Sequence, residues 1–419
     1  MSKAILVLNA GSSSIKFELF RLVHGEPEPE LSGQMEGIGA APHLLARDSH
    51  RKVLADRRWP GPDVSEHVKA LALIMDGIGP AIAEHEIVAI GHRVVHGGPD
   101  LAEPVVVDAA VTEKLRALAA LAPLHQPHNL AGIDAATRRF PGVPQVACFD
   151  TAFHRHHPWE ADTFALPPEF YARGIRRYGF HGLSYEYIAH SLAETDPDLA
   201  AGRVVVAHLG NGSSLCAMRG GRSLDSTMGF TALDGVPMGT RCGQIDPGVL
   251  LHLMQEEGMS AGAVSALLYG NSGLRGMSGV SQDVRALSAS DRPEAAAALR
   301  YYAYRVRREI GALAAAMGGL DALVFTAGIG ENARDLRGEI CAGLEFLGIR
   351  IDAARNEANA PVISADGTPG DASVRVLVRP TDEEGMIARH VIATLGLQAD
   401  ASPGDPGNAK SQKAGTALG

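Results

Sequence analysis

Apolar residues in this chain are spaced in two ways. Short β-branched runs at 5–8, 204–207, Ala322–Thr326 and 374–378 have the length and residue types of strands. Ala/Leu/Glu-rich stretches at 111–121, 295–317 and Glu383–Leu395 repeat their apolar positions three and four residues apart, as helices facing a core do. Strands alternating with helices predict a mixed α/β fold. The polar stretch 40–62 reads as exposed hairpins or loops. Residues 400–419, with Leu418 their only large apolar residue, read as a disordered tail.

One similarity is internal. ILVLNAGSSSIKFELF, near the start, resembles VVVAHLGNGSSLCAMR about two hundred residues later. Each has a β-branched run, a small-residue turn ending in Gly-Ser-Ser and a second alternating run, the pattern of a β-hairpin with a Gly/Ser tip. One pair of short matches is slender proof of duplication. A repeated hairpin opening each half is, however, what a duplicated two-domain fold shows.

The 419 residues allow two or three domains, and 46% hydrophobic with 21% charged residues is ordinary for a globular chain. Lys+Arg 38 against Asp+Glu 48 gives a net charge of −10 with no basic run, which argues against nucleic-acid and anionic-membrane partners. An anionic small molecule would then be held by a few locally placed cations. Cys148, Cys216, Cys242 and Cys341 are far apart and form no CxxC, which argues against a zinc site and fits reduced thiols. The opening MSKAILVLNAGSS breaks at Asn9 and Gly11, too soon for a signal segment, and no apolar stretch reaches the ~20 residues of a membrane span. The expectation is a soluble cytoplasmic protein.

Three turns invite a phosphate reading. Residues 9–14, NAGSSS, with Lys16 close behind, and residues 208–214, HLGNGSS, leave backbone N–H groups and hydroxyls free for phosphate oxygens. Each also reads as an ordinary polar turn. Residues 328–333, GIGENA, satisfy GxGxxA between a strand and a helical stretch, which predicts a nucleotide-binding turn. No acidic residue clearly closes a second strand after it, as NAD binding would need. No GxxxxGK[ST] occurs, so a P-loop is excluded. His154, His156 and His157 cluster in a loop, where convergence on one ion is rare. His125 and His128 flank Pro127 and are expected in a loop. Arg93, in GHRVVHGG, and Arg241, in MGTRCG, have glycine neighbours that let the backbone approach a planar or phosphorylated anion. A structural ion pair explains either arginine equally well.

Together these segments resemble the acetate kinase family, the acetokinases that include propionate and butyrate kinases. LNAGSSSIKF, GHRVVHGG, LAPLHQPHNL, ACFDTAFH, RRYGFHG, HLGNGSSL, STMGFTALDG, MGTRCGQIDPG, SGLRGMSG, FTAGIGEN and TDEE carry the resemblance in family order from residue 8 to residue 384. It implies an α/β fold of duplicated actin/Hsp70/hexokinase-like (RNase H-like) βββαβαβα domains, with the active site in the cleft between them. Residues 1–150 and a C-terminal helix at about 386–397 would form one domain, and 151–385 the other. A homodimer is implied as well.

The resemblance also assigns roles. Asp150, His181 and Arg241 match the catalytic set, with His181 and Arg241 as transition-state stabilisers. Arg93, Val95, Leu124, His125, Phe180 and Ala232 match the acid-binding residues, and Asn9 and Glu383 the Mg2+ positions, where Mn2+ substitutes. The nucleotide segments match Lys16, then His208, Leu209, Gly210, Asn211 and Gly212, then Asp283, Val284 and Arg285. The last of them is Gly328, Ile329, Gly330, Glu331 and Asn332.

The implied reaction is reversible, magnesium-dependent, in-line transfer of the ATP γ-phosphoryl to acetate, giving acetyl phosphate and ADP. A fatty acid has a pKa near ~4.3, so the nucleophile is already ionised and needs no base. Asp150 is therefore expected to orient an arginine or hydrated magnesium rather than move a proton. The chain departs from the commonest family pattern at Gln126, His128, Leu183 and Tyr185, and at Ala232, where proline often lines the acyl pocket. The smaller residue leaves room for another methylene and predicts work on propionate as well as acetate. A propionate kinase is the nearest alternative. An ATP-driven Hsp70-like binding module and an NAD oxidoreductase leave most of these motifs unexplained.

Overall fold

The computed structural model describes residues 1–11, 14–60, 64, 66–122, 125–366 and 373–397. Leu124 and the expected tail 400–419 lie outside the described residues. In the first sheet β1 (Ser2–Ala10), β2 (Ser14–Val23) and β3 (Glu26–Glu36) form an antiparallel meander, extended by the hairpin of β4 (His43–Asp48) and β5 (Val53–Arg58). β6 (His85–Val94) returns parallel to β1, β7 (Val105–Val106) is a short edge strand, and β8 (Gln145–Phe149) runs parallel to β6. The second sheet repeats this plan. β9 (Arg203–Leu209), β10 (Ser213–Arg219) and β11 (Arg222–Ser226) are the meander, and β12 (Ala322–Thr326) and β13 (Arg375–Val378) the added parallel strands.

The orders are β5-β4-β3-β2-β1-β6-β8-β7 and β11-β10-β9-β12-β13. Without its edge additions the first sheet has the order and directions of the second. The similarity between the two hairpins thus extends to whole βββαβαβα units. Helices His67–Ile82, Gln126–Arg139 and Gly182–Thr195 belong to the first unit, and Pro293–Met317, Arg334–Cys341 and Glu383–Leu395 to the second.

Period-two patterning explains why both faces of each sheet are covered. Along β1, Ala4, Leu6 and Leu8 pack toward His67–Ile82, whereas Ile5 and Val7 pack toward Glu383–Leu395. Along β9, Val205, Ala207 and Leu209 face Pro293–Met317, whereas Val204 and Val206 face Gly182–Thr195. Each fully buried aliphatic side chain is worth about 1.5–3 kcal/mol. The last helix of each unit is exchanged: Gly182–Thr195 follows β8 yet covers the second sheet, and Glu383–Leu395 follows β13 yet covers the first. Tyr187 packs against both groups, and His390 Nε2 lies 2.9 Å from Glu186 Oε2 across the two helices.

Several expectations need correction. Pro127 stands in the first turn of Gln126–Arg139, where its missing N–H would have had no partner, so it starts a helix instead of marking a loop. His125 occupies the cap position and His128 lies within that helix. The 40–62 stretch does contain a hairpin, β4–β5, but Leu44 and Ala46 are buried in the core beside His67–Ile82. The predicted 111–121 helix is Ala109–Ala117 followed by a tighter turn, Leu118–Ala120. All four cysteines are unpaired, and no helix among the described residues is long and apolar enough to cross a membrane.

Candidate active site

The parallel strands of both sheets direct their carboxyl ends toward one place, where open α/β sheets form a ligand crevice. Asn9 stands near the end of β1, Arg93 of β6 and His208 of β9; Asp150 follows β8, Glu331 follows β12, and Thr381 and Glu383 follow β13. Asn9, Lys16, Arg93, His181, His208, Glu331, Thr381, Glu383 and Glu384 line a chamber of about 350 Å³. A cavity of about 1200 Å³ adjoins it, sharing Gly210, Asn211 and Gly328 and walled by Gln282, Asp283, Val284, Arg285, Ile329 and Asn332. Asn9 and His208, which occupy matching places in the two similar hairpins, meet in the smaller chamber.

Two arginines give the site its character. Arg93 donates from Nε to Asp150 Oδ1 at 2.8 Å and from Nη2 to Asp150 Oδ2 at 2.7 Å, a bidentate pair, while Glu383 Oε2 lies 3.7 Å from Nε. Burial opposes its charge, but Asp150 and Glu383 outweigh burial and raise its pKa. Arg241 donates Nη1 to the carbonyl of Ala232 at 3.1 Å, and no acid among the described residues pairs with it. Burial, then Arg93, pull its pKa down. It is a half-buried cation with no counter-charge among the described residues, which an anionic ligand would supply.

His181 lies on a constrained turn. Its φ is 57°, and a Cβ at Gly182 would strike the Asp150 carbonyl, which already accepts the Gly182 N–H at 2.8 Å. A non-glycine residue in the left-handed region stores strain, as functional turns often do. His154 Nε2 lies 2.9 Å from the carbonyl of Phe180, fixing the turn from the other side. The His181 ring stacks on His208 at 4.2 Å. Burial first, then His208, Arg93 and Arg241, holds the His181 pKa well below the usual value, so the ring is neutral. His125 sits near both arginines and is lowered to about 4 by burial and their charge. Val95 and Phe180 join Tyr178, Met228 and Met238 in one buried apolar cluster, with Ala232 packed against it. That cluster reaches Arg241 through the Ala232 carbonyl and a 3.6 Å contact with Met238 Sδ.

The other predicted residues divide between cavity and core. Asp283 and Arg285 form an exposed ion pair at 2.6 Å on the wall of the large cavity. Leu209 lines neither cavity, because the alternation of β9 turns its side chain into the core. Gly330 is buried against β12 and also lines neither. Lys16 and Glu331 belong to the smaller chamber rather than the larger. His154 and His157 both turn to Ser223 Oγ, at 2.7 and 2.6 Å. Sequence reasoning missed Thr381, Ser184 (2.8 Å from His208 Nδ1) and Ser214 (2.8 Å from His181 Nδ1). TDEE hinted at Thr381 and the Gly-Ser-Ser turn at Ser214, and no signal pointed to Ser184.

The donor set suits a hard divalent cation. Asn9 offers an amide oxygen and Glu383 a carboxylate, the ligand types that magnesium takes alongside water and phosphate oxygens. Burial raises the Glu383 pKa despite Arg93, and Asp150 and Glu384 add to the rise, so a cation here would relieve a crowd of carboxylates.

The family model described as the Acetokinase family matches residues 4–389. This chain belongs to the acetokinase family. An acetate kinase of Methylocella silvestris is 52% identical over 408 residues, covering 96% of this chain and 100% of that protein. One of Nitrobacter hamburgensis is 51% identical, covering 94% and 96%. Among solved acetokinase structures, an acetate kinase from Porphyromonas gingivalis superposes with a TM-score of 0.83 at 37% identity, covering 94% of this chain and 100% of that one. A propionate kinase from Francisella tularensis gives 0.85 at 36%, covering 93% and 99%.

Proposed function

We propose that this chain is an ATP:acetate phosphotransferase. The observation that carries the reading is Arg241, a half-buried guanidinium with no acid partner among the described residues, beside neutral His181, the Arg93–Asp150 pair and an apolar cluster. A short carboxylic acid fits that combination: its carboxylate meets the arginines and its alkyl end meets Val95, Phe180 and Ala232. The nucleotide lies in the large cavity along Gly328–Asn332 and Asp283–Arg285, with its γ-phosphate reaching the smaller chamber past Gly210 and Asn211. In the transfer, a carboxylate oxygen forms a bond to the γ-phosphorus as the bond to the β–γ bridging oxygen breaks, and ADP leaves with that electron pair. Charge develops on the equatorial oxygens, where Arg241 and His181 stabilise it, while Asp150 holds Arg93 against the incoming carboxylate. Asn9 and Glu383 would hold Mg2+, or Mn2+ in its place, which neutralises nucleotide phosphate charge.

Residues 1–150 with 386–397, and 151–385, act as two domains closing on the nucleotide, in a cytoplasmic homodimer. Trapping acyl phosphate with hydroxylamine, with acetate, propionate and butyrate in parallel, tests the reaction. Turnover with acetate at about 1–100 s⁻¹ is expected. No hydroxamate from any acid, despite tight ATP binding, would overturn it in favour of an ATP-driven binding module.

Ala232 favours a second substrate. Its small side chain borders the apolar cluster, so propionate kcat/KM is expected within about a hundredfold of the acetate value, the range a single methylene spans. A wider gap would assign the pocket to acetate alone.

A further inference from the structure

His181 turns Nε2 toward Gly212 on the chamber side, where a Cβ on that glycine would lie 3.4 Å from it, and presents Nδ1 to Ser214 Oγ at 2.8 Å. Ser214 Oγ also lies 2.5 Å from the phenol oxygen of Tyr185, four residues beyond His181 on Gly182–Thr195. Ser214 and Tyr185 are wholly buried. Among the described residues, Ser214 is the hydrogen-bond partner of both the phenol and Nδ1, and neither has another. Tyr185 is also one of the places where this chain departs from the commonest family motif.

Proton counting fixes the direction of each bond. The phenol has one O–H and one neighbour able to accept it, so Tyr185 donates to Ser214 rather than bury an unpaired donor. Ser214, having accepted there, points its own proton at its remaining neighbour, Nδ1. A neutral imidazole that accepts at Nδ1 carries its hydrogen on Nε2. Both premises of charge hold, since burial keeps the phenol protonated and the imidazole neutral.

We propose that the Tyr185–Ser214 pair selects the tautomer of His181, placing the ring proton on Nε2, where it faces the chamber. Tyr185 and Ser214 are positioning residues; His181 delivers the N–H. The significance of that proton rests on the phosphoryl-transfer reading. Nε2–H donates to an equatorial oxygen of the moving phosphoryl, whereas the other tautomer would turn a lone pair on the same anionic oxygen.

The test uses the full chain with ¹⁵N-labelled histidine and no ligand, so its outcome does not depend on which reaction is catalysed. Long-range ¹H–¹⁵N spectra separate Nδ1-H from Nε2-H rings, and the His181 signals are those missing in His181→Gln. Wild type is expected to show His181 as the Nε2-H tautomer, and Tyr185→Phe, which keeps the ring but removes the hydroxyl, a mixture. Kinetically, Tyr185→Phe is expected to lower kcat about 10- to 100-fold, the range for partners that fix a ring from behind, with KM values unchanged. In a Ser214→Ala background the same substitution is expected to do nothing further, because its effect passes through that hydroxyl. An Nδ1-H ring in the wild type, an unchanged tautomer in Tyr185→Phe, or additive losses in the double variant would each overturn the proposal. Absence of kinase activity alongside the expected tautomer shift would instead fault the functional reading.

Discussion

Two guanidiniums meet beside His181 with different surroundings, and substitutions should separate their roles. Asp150 clasps Arg93 through both oxygens. Asp150→Asn is therefore expected to lower kcat/KM for acetate by about 10²- to 10³-fold without reshaping the pH–rate profile, as loss of an orienting group does. A variant that kept its magnesium affinity and shifted only that profile would make Asp150 a proton carrier. Among the described residues the Arg241 guanidinium bonds only to a carbonyl and a sulfur, leaving its fork free for ligand. Arg241→Lys is expected to lose nearly as much kcat as Arg241→Ala, about 10²- to 10³-fold, because an ammonium cannot reproduce a planar bidentate donor. Recovery of most of the activity by lysine in steady-state assays would reduce Arg241 to a point charge.

The helix Glu383–Leu395 joins the proposed magnesium site to packing. Its first turn carries Glu383, and Ile387 lies so close to β6 that a Cβ on Gly91 would come within 2.5 Å of its Cγ2. Gly91→Ala is expected to cost about 1–3 kcal/mol by overpacking and to raise the magnesium concentration needed for half-maximal rate. Gly311, inside Pro293–Met317 with open space at its Cβ, is the control: alanine there should gain roughly 0.5–1 kcal/mol. Thermal melts and magnesium titrations of the two variants check both statements, and equal behaviour would refute them. Elements of this kind were partly legible in the sequence. The runs in β1, β9 and β12 depend on local pattern and match the strands, whereas the GIGENA segment, expected as a turn, opens directly into the short helix Ala327–Asn332. The meeting of Ser214 with His181, and the exchange of the two last helices, depend on tertiary packing between distant segments, which no local period encodes. Pro127 misled because the same ring that ends a helix from within also begins one.

At the scale of the molecule, buried histidines should make the fold acid-sensitive. Burial lowers His92, His125 and His154 to about 4, and His96 and His208 to about 3. In the unfolded chain these rings titrate near 6.5, so below that pH the unfolded state binds more protons and stability falls. Each ring contributes up to about 1.4 kcal/mol per pH unit until its folded pKa is reached. Glu18, raised to about 8 by burial and the neighbouring Asp382 and Glu384, acts in the opposite sense, as does Glu383. The histidines outnumber them. Urea midpoints are expected to drop steadily from pH 7 to pH 5, and a flat profile would contradict this. The exchanged helices have a further consequence for a chain made from one end. The first sheet is complete once β8 has been synthesised, yet one of its faces stays bare until Glu383–Leu395 emerges roughly 240 residues later. At about 5–20 residues per second that is tens of seconds during which the nascent chain exposes an apolar sheet, an interval for a ribosome-associated chaperone to guard.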